Sequence, residues 1–345
     1  MLEARLAAEC EAVMKQSSAS FYEAFRLLSS PRKEAVFVIY TFCRMIDDSV
    51  DEPENAFYTL EELEERFEAL ETAEGHFIWP ALRWLLASFP LGKEPFRTQM
   101  GGQRMDRVRT HYRTIEELED YCYRVAGSVG EMLLPVLHEQ PDTAITEAGI
   151  WLGKGMQIVN ILRDVGEDQQ LGRRYLPLEL LERCGYSVEE FHDGRVNEAF
   201  RLVVEELSTL AGEWFRRGLQ GLHTYPADSA FSIRLAAAYY AAILDAVHAN
   251  DCDVFAKRAF VDDEGRKNLL RGVLLEMAAA ERTREGHTGA ELAPYGGEKH
   301  EGRAELASHE SEKFRGRAEV WSGLSSGHGL SDESRPEEPP QRLAL

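Results

Sequence analysis

Asp47-Asp48-Ser49-Val50-Asp51 and, about a hundred residues later, Asn160-Ile161-Leu162-Arg163-Asp164-Val165-Gly166-Glu167-Asp168 decide how this chain is read. Their oxygen-bearing side chains recur at every fourth position within a helical pattern of apolar residues. Asp47 and Asp51 therefore share one helix face, and Asn160, Asp164 and Asp168 share another. Like charges at that spacing cost a helix about 0.2–0.5 kcal/mol per pair unless something offsets them. A hard divalent cation bound through oxygen would do so. Two such faces turned toward each other would make a cage for Mg2+ and for the diphosphate that Mg2+ carries.

An acidic cluster on a helix is commonly no more than a solvated face. Two features argue against that here. Val36, Phe37, Ile39, Tyr40, Phe42, Met45 and Ile46 precede the first cluster, and Ile158, Val159, Ile161 and Leu162 run into the second, so both helices are expected to be buried. Buried carboxylates need a metal, a cation or hydrogen-bond donors. Arginines are also interleaved, with Arg44 beside the first cluster and Arg163, Arg173 and Arg174 beside the second. Carboxylate for metal and guanidinium for phosphate is the pairing a diphosphate site requires.

Working outward, helical patterning fits nearly every segment up to about Glu281. It predicts helices over 2–15, 21–28, from Pro31 to the first cluster, and over 59–72, 77–89, 95–109, 115–137 and 144–165. Further helices are predicted over 179–184, 188–193, 197–222, 228–248 and 266–281. No alternating β-branched run and no solenoid repeat interrupts them. The expectation is an all-α single domain, residues 1–282, built around a central cavity. Beyond it, 283–345 is rich in Gly, Ser and Glu with isolated apolar residues, and reads as a disordered acidic tail. That tail carries about −4 of the net charge of −21.

A net charge of −21 argues against a nucleic-acid partner and against adhesion to anionic lipid, while shallow apolar contact at a membrane periphery stays open. The five cysteines (Cys10, Cys43, Cys122, Cys184 and Cys252) are scattered without C-x-x-C spacing. A zinc site or disulfide framework is not expected, and a reducing cytoplasm is the better location. The ten histidines form no metal-ligand spacing, and His111 reads as a surface residue. The N-terminus shows no signal peptide, and no window approaches the ~18 uninterrupted apolar residues of a membrane span.

Five stretches together resemble the squalene and phytoene synthases over roughly residues 10–275. Two are the signatures Tyr40-x-x-x-Arg44-x-x-Asp47-Asp48-x-x-Asp51 and Gln157-x-x-Asn160-Ile161-Leu162-Arg163-Asp164-x-x-Glu167-Asp168. The others are Ser18-Ala19-Ser20-Phe21-Tyr22, the run from Tyr121 to Gly130, and Gly172-Arg173-Arg174-Tyr175-Leu176-Pro177. Within them, Arg174 stands where the family usually has an aliphatic residue, and Ala19 where some relatives are basic.

The resemblance implies an isoprenoid-synthase helical fold and a head-to-head condensation of two allylic diphosphates with two or three Mg2+ ions. Carried over by position, Asp47, Asp51, Asn160, Asp164 and Asp168 hold metal. Arg44, Arg163 and Arg173 meet phosphate, and Ser18 and Ser20 donate to it from a helix start. Asp48 points beside the metal face. Gln157, one turn before Asn160, reaches substrate or metal-bound water. Tyr40, Tyr123 and Tyr240, with Phe21, Phe25 and Phe37, supply an aromatic lining for a cationic intermediate, in a cavity that must be dry. Tyr123, Tyr239 and Tyr240 also lie in helices where a tyrosine commonly only packs. Gly127 and Gly130 read as points of close helix approach.

Phe25 and Phe37 are placed to fill the space of one isoprene unit at the cavity's far end. The leading expectation is therefore two farnesyl diphosphates joined, through a cyclopropyl diphosphate, to dehydrosqualene, a C30 carotenoid precursor. The alternatives are phytoene from two geranylgeranyl diphosphates, squalene with a further NADPH reduction, and a non-catalytic scaffold. The last predicts eroded metal ligands, and all are present.

Overall fold

The computed structural model describes residues 1–288. Helices come first from local chemistry. Thr59 and Glu62 form a capping box that starts α4 (Leu60–Glu68), and Ser187 and Glu190 do the same for α12 (Val188–His192). Thr114, Asp142 and Asn197 each accept a backbone N–H as the caps of α7 (Ile115–Cys122), α9 (Thr143–Arg163) and α13 (Glu198–Gly218). The other helices are α1 (Ala4–Ser17), α2 (Ala19–Phe25), α3 (Arg32–Asp51), α5 (Ile78–Ser88), α6 (Glu94–Asp106), α8 (Ser128–Leu137), α10 (Val165–Gln170), α11 (Leu178–Cys184), α14 (Ala227–Ala249) and α15 (Asp263–Thr288). Among the described residues there is no strand, only one isolated bridge between His111 and Arg174.

Three helices are hydrophobic nearly all round and so take the centre. From Ala35 to Cys43 every residue of α3 is buried. From Gly153 to Arg163 the same holds for α9. In α14 the buried run is almost continuous from Ser229 to Leu244. By length and apolar composition α14 would also pass for a membrane span, but 72% of its apolar window is buried inside the fold, as a core helix requires.

Where α8 and the turn just before it meet α9, the backbones nearly touch. A Cβ on Gly130 would lie 2.3 Å from the Gly149 carbonyl oxygen, and one on Gly153 would lie 2.3 Å from that of Ala126. Gly130 is thus a close-approach glycine, as its sequence context suggested. This contact fixes α9, and with it the second acidic cluster, against the α8 side of the bundle.

Two predicted helices are interrupted. The segment 115–137 contains a π-helical turn, Tyr123–Gly127, between α7 and α8. Its wider turn rotates upstream side chains by about 100° relative to a straight helix. The segment 144–165 ends earlier, because Asp164 leaves helical geometry (φ −105°, ψ 14°) and separates α9 from α10. The cysteines are all free thiols. Helix α15 extends to Thr288, and the rest of the predicted tail lies outside the described residues.

Candidate active site

The last turns of α3, α6 and α9, together with α10, converge on one polar cavity of about 340 Å³. The predicted metal ligands Asp47, Asp51, Asn160, Asp164 and Asp168 all line it, as does Gln157. The break at Asp164 does not throw the second cluster out of phase. Asp164 N donates to the Asn160 carbonyl over 2.9 Å, and Asp168 N donates to that of Asp164 over 2.9 Å. The four-residue spacing therefore survives the change of helix, with the three side chains on one wall.

Guanidinium groups are laced through this wall. Arg173 donates to Asp51 over 2.9 Å, and Arg163 to the neighbouring Asp164 over 2.7 Å. Arg258, from the segment after α14, reaches Asp164 at 3.1 Å and Glu167 at 3.0 Å. Arg44 lies 2.5 Å from Asp48 and 3.9 Å from Asp47. Burial opposes the charge on Arg163 and Arg173, but Asp164 beside the first, and Tyr175, Asp51 and Asp106 around the second, raise both guanidiniums above their ordinary value. Burial raises the Asp48 carboxyl, against the pull of Arg44. Asp48 turns toward Arg44 and does not line the cavity, as its register implied.

The predicted cage is thus assembled as a wall but not as a closed coordination shell. Among the described residues no three His, Cys, Asp or Glu side chains are gathered tightly enough to hold a metal. Positive side chains sit against Asp51 and Asp164. The donor set still fits a hard cation, since it consists of carboxylate and amide oxygens. Gln157 Oε1 is buried in this cavity with no hydrogen-bond partner, an acceptor that a hydrated ion or a ligand would satisfy.

Next to the polar cavity is an apolar one of about 520 Å³. Met156 lines the apolar space and Gln157, its neighbour in α9, lines the polar one. Phe21 and Phe25 are in the apolar wall, and Phe21 stacks on Tyr40 with centroids 5.7 Å apart. Tyr40 is raised by its burial, which Arg44 partly offsets. Tyr240 is pushed up to about 12 by burial, while Arg163 and a hydrogen bond with Asn160 pull the other way. Neither tyrosine lines a cavity: Tyr40 packs on Phe21 of the apolar wall, and Tyr240 bonds Asn160 of the polar one. Phe37 does not line the apolar cavity; it packs on Tyr22, with centroids 6.1 Å apart. Ser18 is the buried cap of α2, accepting from Phe21 N at 3.3 Å, and Ser20 is half-buried one turn-fraction on.

Tyr123 is where the structure departs from the expected lining. It lines neither cavity and donates to Glu131 over 3.2 Å. The tyrosine in the cavity is Tyr121, which two positions of helix place on the other side. Tyr121 and Tyr175 both donate to Asp106, over 2.9 and 2.7 Å. Burial lifts Asp106 to about 6, against the lowering effect of Tyr175, Arg173 and Tyr121. Such a carboxylate–phenol cluster can accept and hold a proton near neutral pH. Gln103, also in the wall, donates to Asp47 over 2.8 Å. Gln103, Asp106 and Arg258 were not singled out from sequence, and Tyr121 and Tyr175 stood in the quoted motifs without a site role. For Gln103 and Asp106 a signal existed: uncharged and acidic groups on the same face of α6 as Phe96 and Met100. For Arg258 there was none.

The squalene/phytoene synthase family model matches residues 14–264. A phytoene synthase of Arthrospira platensis is 37% identical over 268 residues, covering 73% of this chain and 87% of the relative. A 15-cis-phytoene synthase of Synechocystis is 38% identical over 267 residues, covering 73% and 79%. Among solved structures, a dehydrosqualene synthase in complex with ligand superimposes with a TM-score of 0.75 at 32% identity, over 80% of this chain and 97% of that one. A squalene synthase of Alicyclobacillus acidocaldarius, at 23% identity and a TM-score of 0.65, shares the fold. With the match spanning both acidic clusters and the helices that carry them, this chain belongs to the squalene/phytoene synthase family of head-to-head prenyltransferases.

Proposed function

We propose that the chain joins two geranylgeranyl diphosphates head to head, through a cyclopropyl diphosphate, to give phytoene. The observation that carries this choice of chain length is that the similar relatives, at 33–38% identity, are phytoene synthases. It replaces the shorter C30 product expected from Phe25 and Phe37, only the first of which lines the apolar cavity. The C30 reading keeps one supporting observation, the 32% identity to a dehydrosqualene synthase of known structure.

Asp47, Asp51, Asn160, Asp164 and Asp168 would hold Mg2+, which when bound neutralises diphosphate charge as a Lewis acid. The chain's own groups do the rest. Arg44, Arg163, Arg173 and Arg258 supply fixed positive charge for phosphate oxygens as the C1–O bond of one substrate breaks. The departing diphosphate takes the bonding pair and leaves an allylic cation. The C2–C3 double bond of the second substrate attacks the C1 of that cation, leaving positive charge on C3. Loss of a proton from the first substrate's C1 supplies the electron pair that bonds it to C3 and closes the cyclopropane ring. The apolar cavity keeps water from the cation, and the faces of Tyr40, Phe21 and Tyr240 stabilise it. Loss of the second diphosphate, rearrangement and a second proton loss complete the product.

The test is incubation with farnesyl or geranylgeranyl diphosphate plus Mg2+, with and without NADPH, followed by mass analysis. Geranylgeranyl diphosphate should yield, without NADPH, a C40 hydrocarbon with a conjugated central triene. Predominant C30 product from both substrates offered together would reject the assignment of chain length.

A further inference from the structure

Arg173 and Tyr175 line the polar cavity, where they meet Asp51 and Asp106, but Arg174 between them does not. The segment is extended and pairs with the chain after α6: Arg174 N donates to the Thr110 carbonyl over 2.7 Å, and Arg174 forms the isolated bridge with His111. Successive side chains of an extended segment leave on opposite sides, so Arg174 departs on the side away from the cavity. It is nevertheless buried, at 5% exposure. Its Nη1 donates to the Leu176 carbonyl over 2.5 Å, and its Nε is buried with no hydrogen-bond partner. Arg163, the other buried arginine among the described residues, is held by Asp164. No carboxylate among the described residues pairs with Arg174, and burial lowers its guanidinium with nothing to offset it. Two imidazoles add to this side of the segment. His111 and His192 are exposed, and burial, Arg174 and His192 together push the His111 ring below its ordinary value. Thr110 Oγ1 lies 2.7 Å from His111 Nδ1, and a hydroxyl donating there leaves Nε2 as the donor of the ring. The His192 carbonyl accepts from Gln169 over 3.1 Å, which ties α12 to the end of α10.

A desolvated guanidinium with an unused donor and no counter-charge is satisfied by an anion, and its forked donors suit a tetrahedral oxyanion. We propose that Arg174 and His111 form a second anion site, for inorganic phosphate or diphosphate, on the reverse side of the segment that carries Arg173 and Tyr175 to the polar cavity. An anion bound there braces that segment from outside and takes no part in the reaction. The site stands whichever prenyl chain the protein uses.

The experiment titrates inorganic phosphate, and separately inorganic diphosphate, into the metal-free full chain at constant pH and ionic strength. Histidine ring signals are followed by nuclear magnetic resonance, and His111 is identified as the signal missing from His111→Ala. Wild type should show a saturable shift of the His111 signal with at least one of the two anions. Arg174→Leu and Arg174→Gln, each checked by melting temperature, should weaken the binding behind that shift by about 10-fold or more. Arg173→Gln, which removes a guanidinium from the polar cavity, should leave the shift in place. A wild-type response in a folded Arg174 variant overturns the proposal, and so does a His111 signal that moves with neither anion. A response lost in Arg173→Gln also overturns it, because the anion would then sit in the polar cavity alone. His111→Ala changes an exposed residue and gives a reading that does not depend on the Arg174 variants folding. With Arg173→Gln also present, it should weaken the binding of the same anion in calorimetry, and unchanged affinity there overturns the proposal as well.

Discussion

Arg173 Nη1 lies 2.9 Å from Asp51 Oδ1, tying the loop after the second acidic cluster to the end of the first across 122 residues of chain. Both side chains are largely buried, at 13% and 16% exposure. This pair holds the two clusters face to face. Under the proposed function, Asp51 would give up this guanidinium to hold metal. Asparagine keeps the shape and loses the charge. Asp51→Asn and Asp164→Asn should each lower turnover on the order of 100-fold or more, with far-UV circular dichroism unchanged. Near-normal turnover in both variants would remove the metal wall from the mechanism.

Asp106 gives a pH signature. Burial raises its folded-state value to about 6 from the model-compound 3.8, so the folded state holds this proton more tightly than the unfolded chain. The stabilisation is fully present below pH 3.8 and is lost as pH rises through about 6. Asp106→Asn cannot titrate. The difference in unfolding free energy between wild type and this variant, measured by denaturant titration from pH 4 to 7, should shift against wild type as pH rises. A difference that stays flat over that range would mean that Asp106 titrates normally.

Gly130→Ala should be costly although alanine favours helix. Its Cβ would lie 2.3 Å from the Gly149 carbonyl oxygen, a backbone atom that cannot swing aside. Forcing α8 from α9 costs roughly 1–3 kcal/mol or more, and it shifts the wall that carries Asn160. Both melting temperature and turnover should fall. Gly101→Ala, inside α6 where a Cβ meets nothing within 4 Å, is the control and should keep turnover and raise the melting temperature slightly.

The acidic wall of the polar cavity was readable in sequence because its information is local. Asp47 with Asp51, and Asn160 with Asp164 and Asp168, declare themselves by helical spacing within ten residues. The spacing even survived a break at Asp164 that no propensity foretold, because the backbone hydrogen bonds keep phase across it. What was not readable depends on register between distant helices. The π-helical turn at Tyr123–Gly127 leaves no compositional mark; Tyr121, just before it, lines the polar cavity, while Tyr123, its first residue, bonds Glu131. Arg258 arrives on Asp164 from 94 residues away, through a segment with no motif of its own. Phe25 and Phe37 looked equivalent on adjacent helices, and only packing told them apart.

The family match ends at residue 264, and every residue placed in the two cavities precedes it. A chain ended after Thr288, the last residue of α15, should therefore keep its turnover and melting temperature. Loss of either in the shortened chain would assign residues 289–345 a part in the fold or the reaction.

Phe25 and Phe37 separate two uses of a buried ring. Phe25 is 3% exposed and lines the apolar cavity, with its centroid 4.3 Å from that of Phe21. Phe37 is 1% exposed and packs on Tyr22 outside that lining. Truncating Phe25 enlarges the space offered to a prenyl chain, whereas truncating Phe37 leaves a void in the core worth about 3–5 kcal/mol of stability. Offered equal farnesyl and geranylgeranyl diphosphate, Phe25→Ala should raise the ratio of C40 to C30 product above wild type. Phe37→Ala should lower the melting temperature and leave the ratio alone. A ratio that moves with Phe37 and not with Phe25 would place the limit on chain length on the α3 side of the bundle, and the apolar cavity described here would not be where the chain ends.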